Sequence, residues 1–365
     1  MPKARTAPDM WMIGAVMLIL AAGLVMVYSS SAVLALREYG DVFYYLKRQL
    51  LFAALGIGMM IFMAGIDYRV LRKYAPAVLV ACFALLVIVL IPGVGVVRGG
   101  ARSWLGIGSF GIQPSEFMKL AMVVFMAKHL ADRQQEIAGF ARGLLPPLAI
   151  MGCAFGLIML QPDLGSGAVM VGATMLVIYA AGARLLHLGA LAGIGAAGLV
   201  GLIIAEPYRM KRITGFLDPW QDPLGSGYQI IQSLYAIGPG GLIGLGLGES
   251  RQKYSYLPEP QTDFIFSIWA EELGFIGGSA LILLFLVLIW RGLRTAITAP
   301  DTFGSLLAVG ITGIIAVQVF INIGVVIGLL PVTGITLPLV SYGGSSLTLL
   351  LTALGILLNI SRYSR

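Results

Sequence analysis

Residues 264–290 read FIFSIWAEELGFIGGSALILLFLVLIW. A bilayer core of about 30 Å is crossed by about 20 apolar residues in helical form. This run is long enough, and it contains two acids, Glu271 and Glu272, that a membrane helix does not carry cheaply. Asp263 stands immediately before it, in YLPEPQTDFIF (256–266), four residues after Glu259.

The same kind of run recurs along the chain. Ten spans are expected, near 10–30, 50–66, 74–92, 113–131, 143–160, 165–182, 186–205, 264–290, 303–330 and 341–360. Composition agrees. The 365 residues are 58% hydrophobic and 11% charged, with mean hydropathy +0.92; soluble domains carry about 25% charge. A water-soluble globule of this composition would lack polar residues to cover its surface. The expected fold class is an all-α polytopic membrane protein, one integral domain over 1–365. A long ordered extracytoplasmic loop, 206–263, joins helices seven and eight.

The N-terminus imitates a signal peptide, with Lys3 and Arg5 ahead of an apolar run. The run to Tyr28 is long for one, and an uncleaved first helix is expected. Cys82 and Cys153 lie in apolar runs and read as buried packing residues. His129 and His187 have no second ligand at metal spacing.

Lysine and arginine orient the helices. With the N-terminus inside, thirteen lie in inside segments and five in short outside ones. Both termini are therefore expected in the cytoplasm. The net charge of +7 follows from topology and calls for no nucleic-acid partner. The 206–263 loop breaks the pattern with Arg209, Lys211, Arg212, Arg251 and Lys253 on the outer side. Its stretch YQIIQSLYAIG (228–238) predicts a helix, with Ile230, Ile231, Leu234 and Tyr235 on one face, lying on the membrane surface.

Three other positions carry charge at or near the membrane. Glu116 and Lys119, in QPSEFMKL, are three apart and share a helix face, either as a buried neutral couple or as a polar cavity wall. Asp163, in QPDLGSG, is placed to cap the sixth span. Arg98 and Arg102 sit on the outer side; a guanidinium donates two parallel hydrogen bonds to phosphate, and Arg102 beside Trp104 also suits interfacial anchoring. Gly189, Gly193, Ala197 and Gly201 form a smooth stripe that predicts close helix packing. GPGGLIGLGLGES lies outside any βαβ unit, so its glycines do not make a dinucleotide site. PVTGITLPLVSYGGSS (331–346) reads as irregular backbone at membrane depth, tolerated only under a protein cover or beside a watery cavity.

The chain resembles the shape, elongation, division and sporulation family, the FtsW/RodA/SpoVE proteins. The resemblance runs through VYSSSAV, KRQLLF, IPGVG, GARSWLGIG, QPSEFMKL, QPDLGSG, the whole of PYRMKRITGFLDPW to ELGFIGG, and GLLPVTGITLPLVSYGGSS. It implies a ten-helix glycosyltransferase that polymerises lipid II into glycan strands for peptidoglycan. It implies a class B penicillin-binding transpeptidase as partner, docked on spans eight and nine, and other division, elongation or sporulation membrane proteins around it. It implies that Asp263 is the essential acid, that Glu116, Lys119 and Asp163 line a polar cavity, and that Arg102 matters on the outer side.

A mechanism follows from these expectations. Forming a β-1,4 bond from an α-linked polyprenyl pyrophosphate inverts the anomeric centre. One base suffices for that, without a second carboxylate as nucleophile. The leaving pyrophosphate needs positive charge. Asp263 is the expected base, with Glu259 beside it. Arg102, Lys119, Arg209, Lys211, Arg212 and Lys253 are the candidate cations, unranked. A divalent cation, Mg or Mn, would travel with the pyrophosphate. On its residues alone, Asp263 is equally an N-cap of the eighth span. Alternatives of another class are a lipid II flippase and a non-catalytic scaffold for the transpeptidase; a ligase of O-antigen type would share the chemistry but differs in its outer loop.

Overall fold

The computed structural model describes residues 7–98, 101–107, 110–137, 139–204, 207–254 and 256–363. All ten expected spans are helices: α1 (Met10–Tyr39), α2 (Tyr44–Gly65), α3 (Arg69–Leu90), α4 (Pro114–Asp132), α5 (Leu145–Met159), α6 (Leu164–Ala180), α7 (Leu185–Ile204), α10 (Ile265–Thr298), α11 (Thr302–Val326) and α12 (Gly344–Ser361). Among the described residues, seven stretches are long and apolar enough to cross a membrane unaided: α1, α2, α3, Phe140–Met159, α10, α11 and α12. The chain is a multi-pass membrane protein.

The boundaries moved where polar residues belong to the helix. α1 runs on to Tyr39, and Gly40, at φ +68°, ends it by donating its N–H to Leu36. α5 begins with a π-helical turn, Phe140–Leu144. Between α3 and α4 a small antiparallel sheet forms from β1 (Val96–Arg98), β2 (Ala101–Ile107) and β3 (Phe110–Ile112), in that order. It is an addition to the all-α expectation. Glycine-rich connections broke the alternation that would have announced these strands.

The described residues of the 206–263 loop carry α8 (Pro207–Leu217) and α9 (Tyr228–Gly240). α9 falls on the predicted stretch, but its buried face differs from the expected one. Ile230, Ile231, Ser233 and Ala236 are buried, whereas Leu234 and Tyr235 are exposed. The Ser233 hydroxyl meets Ser267 of α10 at 2.8 Å and the carbonyl of Val326 in α11 at 2.6 Å. α9 is thus held on protein by polar bonds.

α11 is the most enclosed of the seven spans. α12 lies along α2 so closely that a Cβ on Gly355 would sit 2.4 Å from the carbonyl oxygen of Met60. Two expectations fail at the periphery. Cys153 is exposed on the bundle's outer surface, while Cys82 is buried. The small stripe of α7 packs against nothing among the described residues: Gly189, Gly193 and Gly201 have open space where a Cβ would go.

α10 is broken at Gly274, whose φ/ψ of +64°/−164° is open to glycine alone. A break strands carbonyls before it and N–H groups after it, and at membrane depth these must be satisfied. The segment after α9 does so. Leu245 and Gly246 donate to the carbonyls of Glu271 and Glu272, and Phe275 and Ile276 donate to those of Gly241 and Leu242. The break is how the outer loop is stitched into the helix.

Candidate active site

The irregular 331–343 segment frames the site. Ile335, Leu337, Leu339 and Val340 are buried. Its backbone is satisfied by amide side chains from the helices. Asn322 donates to the carbonyl of Ile335 at 2.7 Å, Gln318 to Thr336 at 3.1 Å, and Gln49 to Ser341 at 3.0 Å. Gly343 donates back to Gln49 at 3.2 Å. Sequence reasoning passed over these three amides. The signal was present: lone Gln or Asn residues inside apolar spans need a buried partner.

Residues 261–263 hang from this frame by their carbonyls. Tyr342 N–H donates to Gln261 at 2.8 Å, Ser341 Oγ to Thr262 at 2.6 Å, and Asn322 Nδ2 to Asp263 at 2.8 Å. The backbone of Asp263 is fixed and its carboxylate is left over. The capping alternative fails, because Phe264 is the N-cap of α10 and no side chain caps there. Gly334, at φ +74°, covers the carboxylate with bare backbone; a Cβ on it would lie 3.7 Å from Oδ2. The adjoining Thr333 hydroxyl is buried without a hydrogen-bond partner.

Asp263 is half-buried by surface yet densely surrounded. Burial pushes its carboxyl from 3.8 up to about 7; the charge of Glu259 adds to the rise, Arg212 opposes it, and Asp163 adds a little more. A carboxyl in that range is split between acid and base forms near neutral pH, which is what a general base requires.

Arg212, on α8, donates to the carbonyl of Val332 at 3.0 Å, so its guanidinium lies on the frame. Glu259 is exposed and accepts from the Thr262 hydroxyl at 3.0 Å. Asp163 caps α6 by accepting from Ser166 N–H at 3.0 Å, and also accepts from Gln113 and Ser115 at 2.9 Å each. It therefore locks the start of α4 to the start of α6. Glu116 and Lys119 pair at 2.7 Å, almost fully buried. They line a cavity of about 30 Å³ with Gln318, Thr336 and Ser341, room for one or two waters. The couple is thus paired and part of a cavity lining at once. Arg102 is half-buried in β2, opposite Val97. Lys211 is exposed on α8. The side chain of Arg209 lies outside the described residues.

Lys253 is placed apart from these. It is buried, bonded to the carbonyl of Gly248, and ion-paired with Glu272 at 3.3 Å. The Glu272 carboxylate also accepts from Ser29 of α1 at 2.6 Å, and Glu271 accepts from Ser250 Oγ at 2.5 Å and Arg251 N–H at 2.9 Å. The lysine is an internal counter-ion for the α10 break. Glu271 and Glu272, which had no role on sequence, hold the outer loop there.

At the opposite end of the bundle stand the residues assigned to inside segments. Asp9 caps α1 and pairs with Arg291 at the end of α10. Asp301 caps α11 and is bonded by Tyr68 and Arg69. Asp132 is paired with Arg72 and Lys128. Asp263 and this ionic belt stand at opposite ends of α10 and its neighbours.

The model of the cell cycle protein family FtsW/RodA/SpoVE matches residues 9–365. The chain belongs to the FtsW/RodA/SpoVE family. It is 60% identical over 365 residues, all of both chains, to Stage V sporulation protein E of Bacillus subtilis. It is 45% identical to the probable peptidoglycan glycosyltransferase FtsW of Geobacter metallireducens, over 93% of this chain and 90% of that one. Among solved structures, the rod shape determining protein RodA of Thermus thermophilus aligns with TM-score 0.73 and 31% identity, over 98% of this chain and 97% of that one. A chain from a structure described as the coordination of polymerization and crosslinking by a peptidoglycan synthase complex aligns with TM-score 0.79 and 34% identity, over 98% and 99%. These relatives share the whole bundle of this FtsW/RodA/SpoVE protein.

Proposed function

We propose that this FtsW/RodA/SpoVE protein is a peptidoglycan glycosyltransferase that joins lipid II into β-1,4-linked glycan strands with inversion, using Asp263 as general base. The observation that carries this reading is the Asp263 carboxyl: fixed through its backbone, unused as a cap, and raised to about 7 by burial. In its base form it takes the proton of the acceptor hydroxyl as that oxygen attacks the anomeric carbon. The C–O bond to the pyrophosphate breaks, and its electron pair leaves with the pyrophosphate.

Arg212, close enough to oppose the rise at Asp263, serves the leaving group; Arg102, Lys119 and Lys211 are further candidates. A Mg or Mn ion would come with the substrate as the counter-ion of its pyrophosphate, and the exposed Glu259 carboxylate would offer it a hard oxygen ligand; among the described residues no group of three His, Cys, Asp or Glu side chains forms. Glu116, Lys119 and Asp163 keep the floor of the site polar.

In this reading the site faces the extracytoplasmic side of the bacterial cytoplasmic membrane. The basic belt at the other end, with both termini, lies in the cytoplasm, as the distribution of lysine and arginine favours. The similarity to a chain from a synthase complex that couples polymerization to crosslinking supports a class B penicillin-binding transpeptidase as partner. The exposed apolar faces of α10 and α11, with Phe275, Leu283, Trp290 and Phe320, suit a single-span helix. The test is purified protein with lipid II in detergent, with and without the transpeptidase. Long glycan is the expected product. Lipid II transfer across vesicles without joining would establish the flippase reading instead.

A further inference from the structure

The loop between α1 and α2 gathers aromatic rings into one connected surface. Tyr39 stacks on Tyr44 at 3.7 Å, and Tyr44 meets Tyr45 edge-on at 5.3 Å. Tyr45 meets Tyr342 edge-on at 5.0 Å. Tyr342 is the residue whose N–H holds the carbonyl of Gln261, two positions before Asp263. A tyrosine track thus leads from the base's own support to the edge of the bundle. Beside it Phe43 stacks on Tyr28 at 5.3 Å. Tyr39 and Phe43 are about half exposed, at 50% and 46%.

The rim of this surface is polar. Arg48 donates to the Tyr44 hydroxyl at 2.7 Å with its guanidinium over that ring, and Lys47 pairs with Asp41 at 2.7 Å. Aromatic residues that only anchor a helix at the headgroups have no need to touch each other or to continue into a reaction site. Here each ring is braced by the next, so the exposed faces are rigid and little side-chain entropy is lost when something lies on them.

We propose that the Tyr39–Tyr44–Tyr45 surface is a subsite for the growing glycan strand, holding sugar rings beyond the one that reacts at Asp263. A pyranose ring offers a face of C–H groups and a rim of hydroxyls. The electron-rich face of a tyrosine attracts the C–H face, and phenol, guanidinium and ammonium groups answer the hydroxyls. A backbone of uncharged sugar rings that must slide by one disaccharide per cycle suits such non-directional stacking better than ion pairs. The surface acts on retention of the strand and takes no part in bond making.

This inference rests on the polymerase reading above, and the experiment separates the two. Wild type, Tyr39→Leu and Tyr39→Trp are purified and given lipid II. Two quantities are read: the rate of forming the first product from two lipid II molecules, and the length distribution of long glycan on a gel. Leucine keeps apolar area for the membrane and removes the ring face; tryptophan keeps the face. The expected result is a first-bond rate within about two-fold of wild type for both variants. Strands shorten about three-fold or more in Tyr39→Leu, and length is restored in Tyr39→Trp. Tyr39→Met, which also removes the ring face, is read the same way should Tyr39→Leu fail to fold. Wild-type strand length in the leucine variant would reduce the cluster to an interfacial anchor only and overturn the proposal. Equal loss of first-bond rate and length would overturn it too. A wild-type protein that makes no glycan at all refutes the polymerase reading itself.

Discussion

Replacing Lys253 by methionine tests the assignment of that residue as an internal counter-ion. Lys253 is 6% exposed and Glu272 is fully buried, with Nζ 3.3 Å from the carboxylate. Removing one partner of a buried pair leaves an unpaired charge, which costs about 3–5 kcal/mol. The two contacts from the Ser29 hydroxyl, at 2.6 and 2.8 Å, remain in the mutant and hold the loss toward the lower figure. At about 2–4 °C per kcal/mol, the scale for soluble domains of 150–250 residues, the apparent midpoint falls by roughly 6–12 °C. Detergent unfolding of this chain is read at one fixed scan rate, because such midpoints depend on rate. Lys253→Met combined with Glu272→Gln removes both charges and keeps an acceptor for Ser29. It is expected to recover most of the loss, giving a coupling of about 2 kcal/mol or more. A single mutant within 1–2 °C of wild type, or a double mutant lower than the single, would refute the counter-ion argument.

Other outcomes follow from the same geometry. Gly274→Ala is expected to cost about 3 kcal/mol or more, because its φ/ψ belongs to glycine and the added Cβ would lie 2.3 Å from the Gly244 nitrogen; unfolding midpoints check it. Asp163→Ala removes a cap and leaves the donors of Gln113 and Ser115 without their acceptor, a loss of about 1–3 kcal/mol, read by the same scans. The polymerisation rate should rise with pH through about 7 and level off above it, since Asp263 works deprotonated. Glu259→Gln removes a charge that raises this carboxyl, so its rate limb moves to lower pH; a limb that stays in place contradicts the assignment. Because the folded form binds this proton more tightly than the unfolded chain, Asp263 lowers stability as pH rises from about 4 toward 7. Asp263→Asn should therefore flatten that decline in scans from pH 5 to 8.

The helices were legible because long apolar runs have one structural solution in a bilayer. Asp263 was legible as an acid at the mouth of such a run, although the residues alone left capping open; the structure removes that alternative by giving the cap to Phe264. What stayed hidden depends on long-range pairing. Nothing local says that Lys253 belongs to Glu272 and Ser29, or that Gln49 supports Ser341 from 292 positions away. The sheet at 96–112 was hidden because its strands are short and interrupted by glycine. The stripe on α7 misled for the opposite reason: small residues permit close packing without requiring it.

The most direct test of the account is single-turnover and steady-state polymerisation of lipid II by purified wild type and Asp263→Asn, free of other synthases, across pH 5–9. The amide keeps the size and the backbone bonds of Asp263 and cannot accept the acceptor's proton. The account predicts a rate loss of about 100-fold or more above pH 7, narrowing as pH falls and the wild-type carboxyl takes up its proton, with folding and transpeptidase binding retained. A variant that polymerises at the wild-type rate above pH 7 would contradict it.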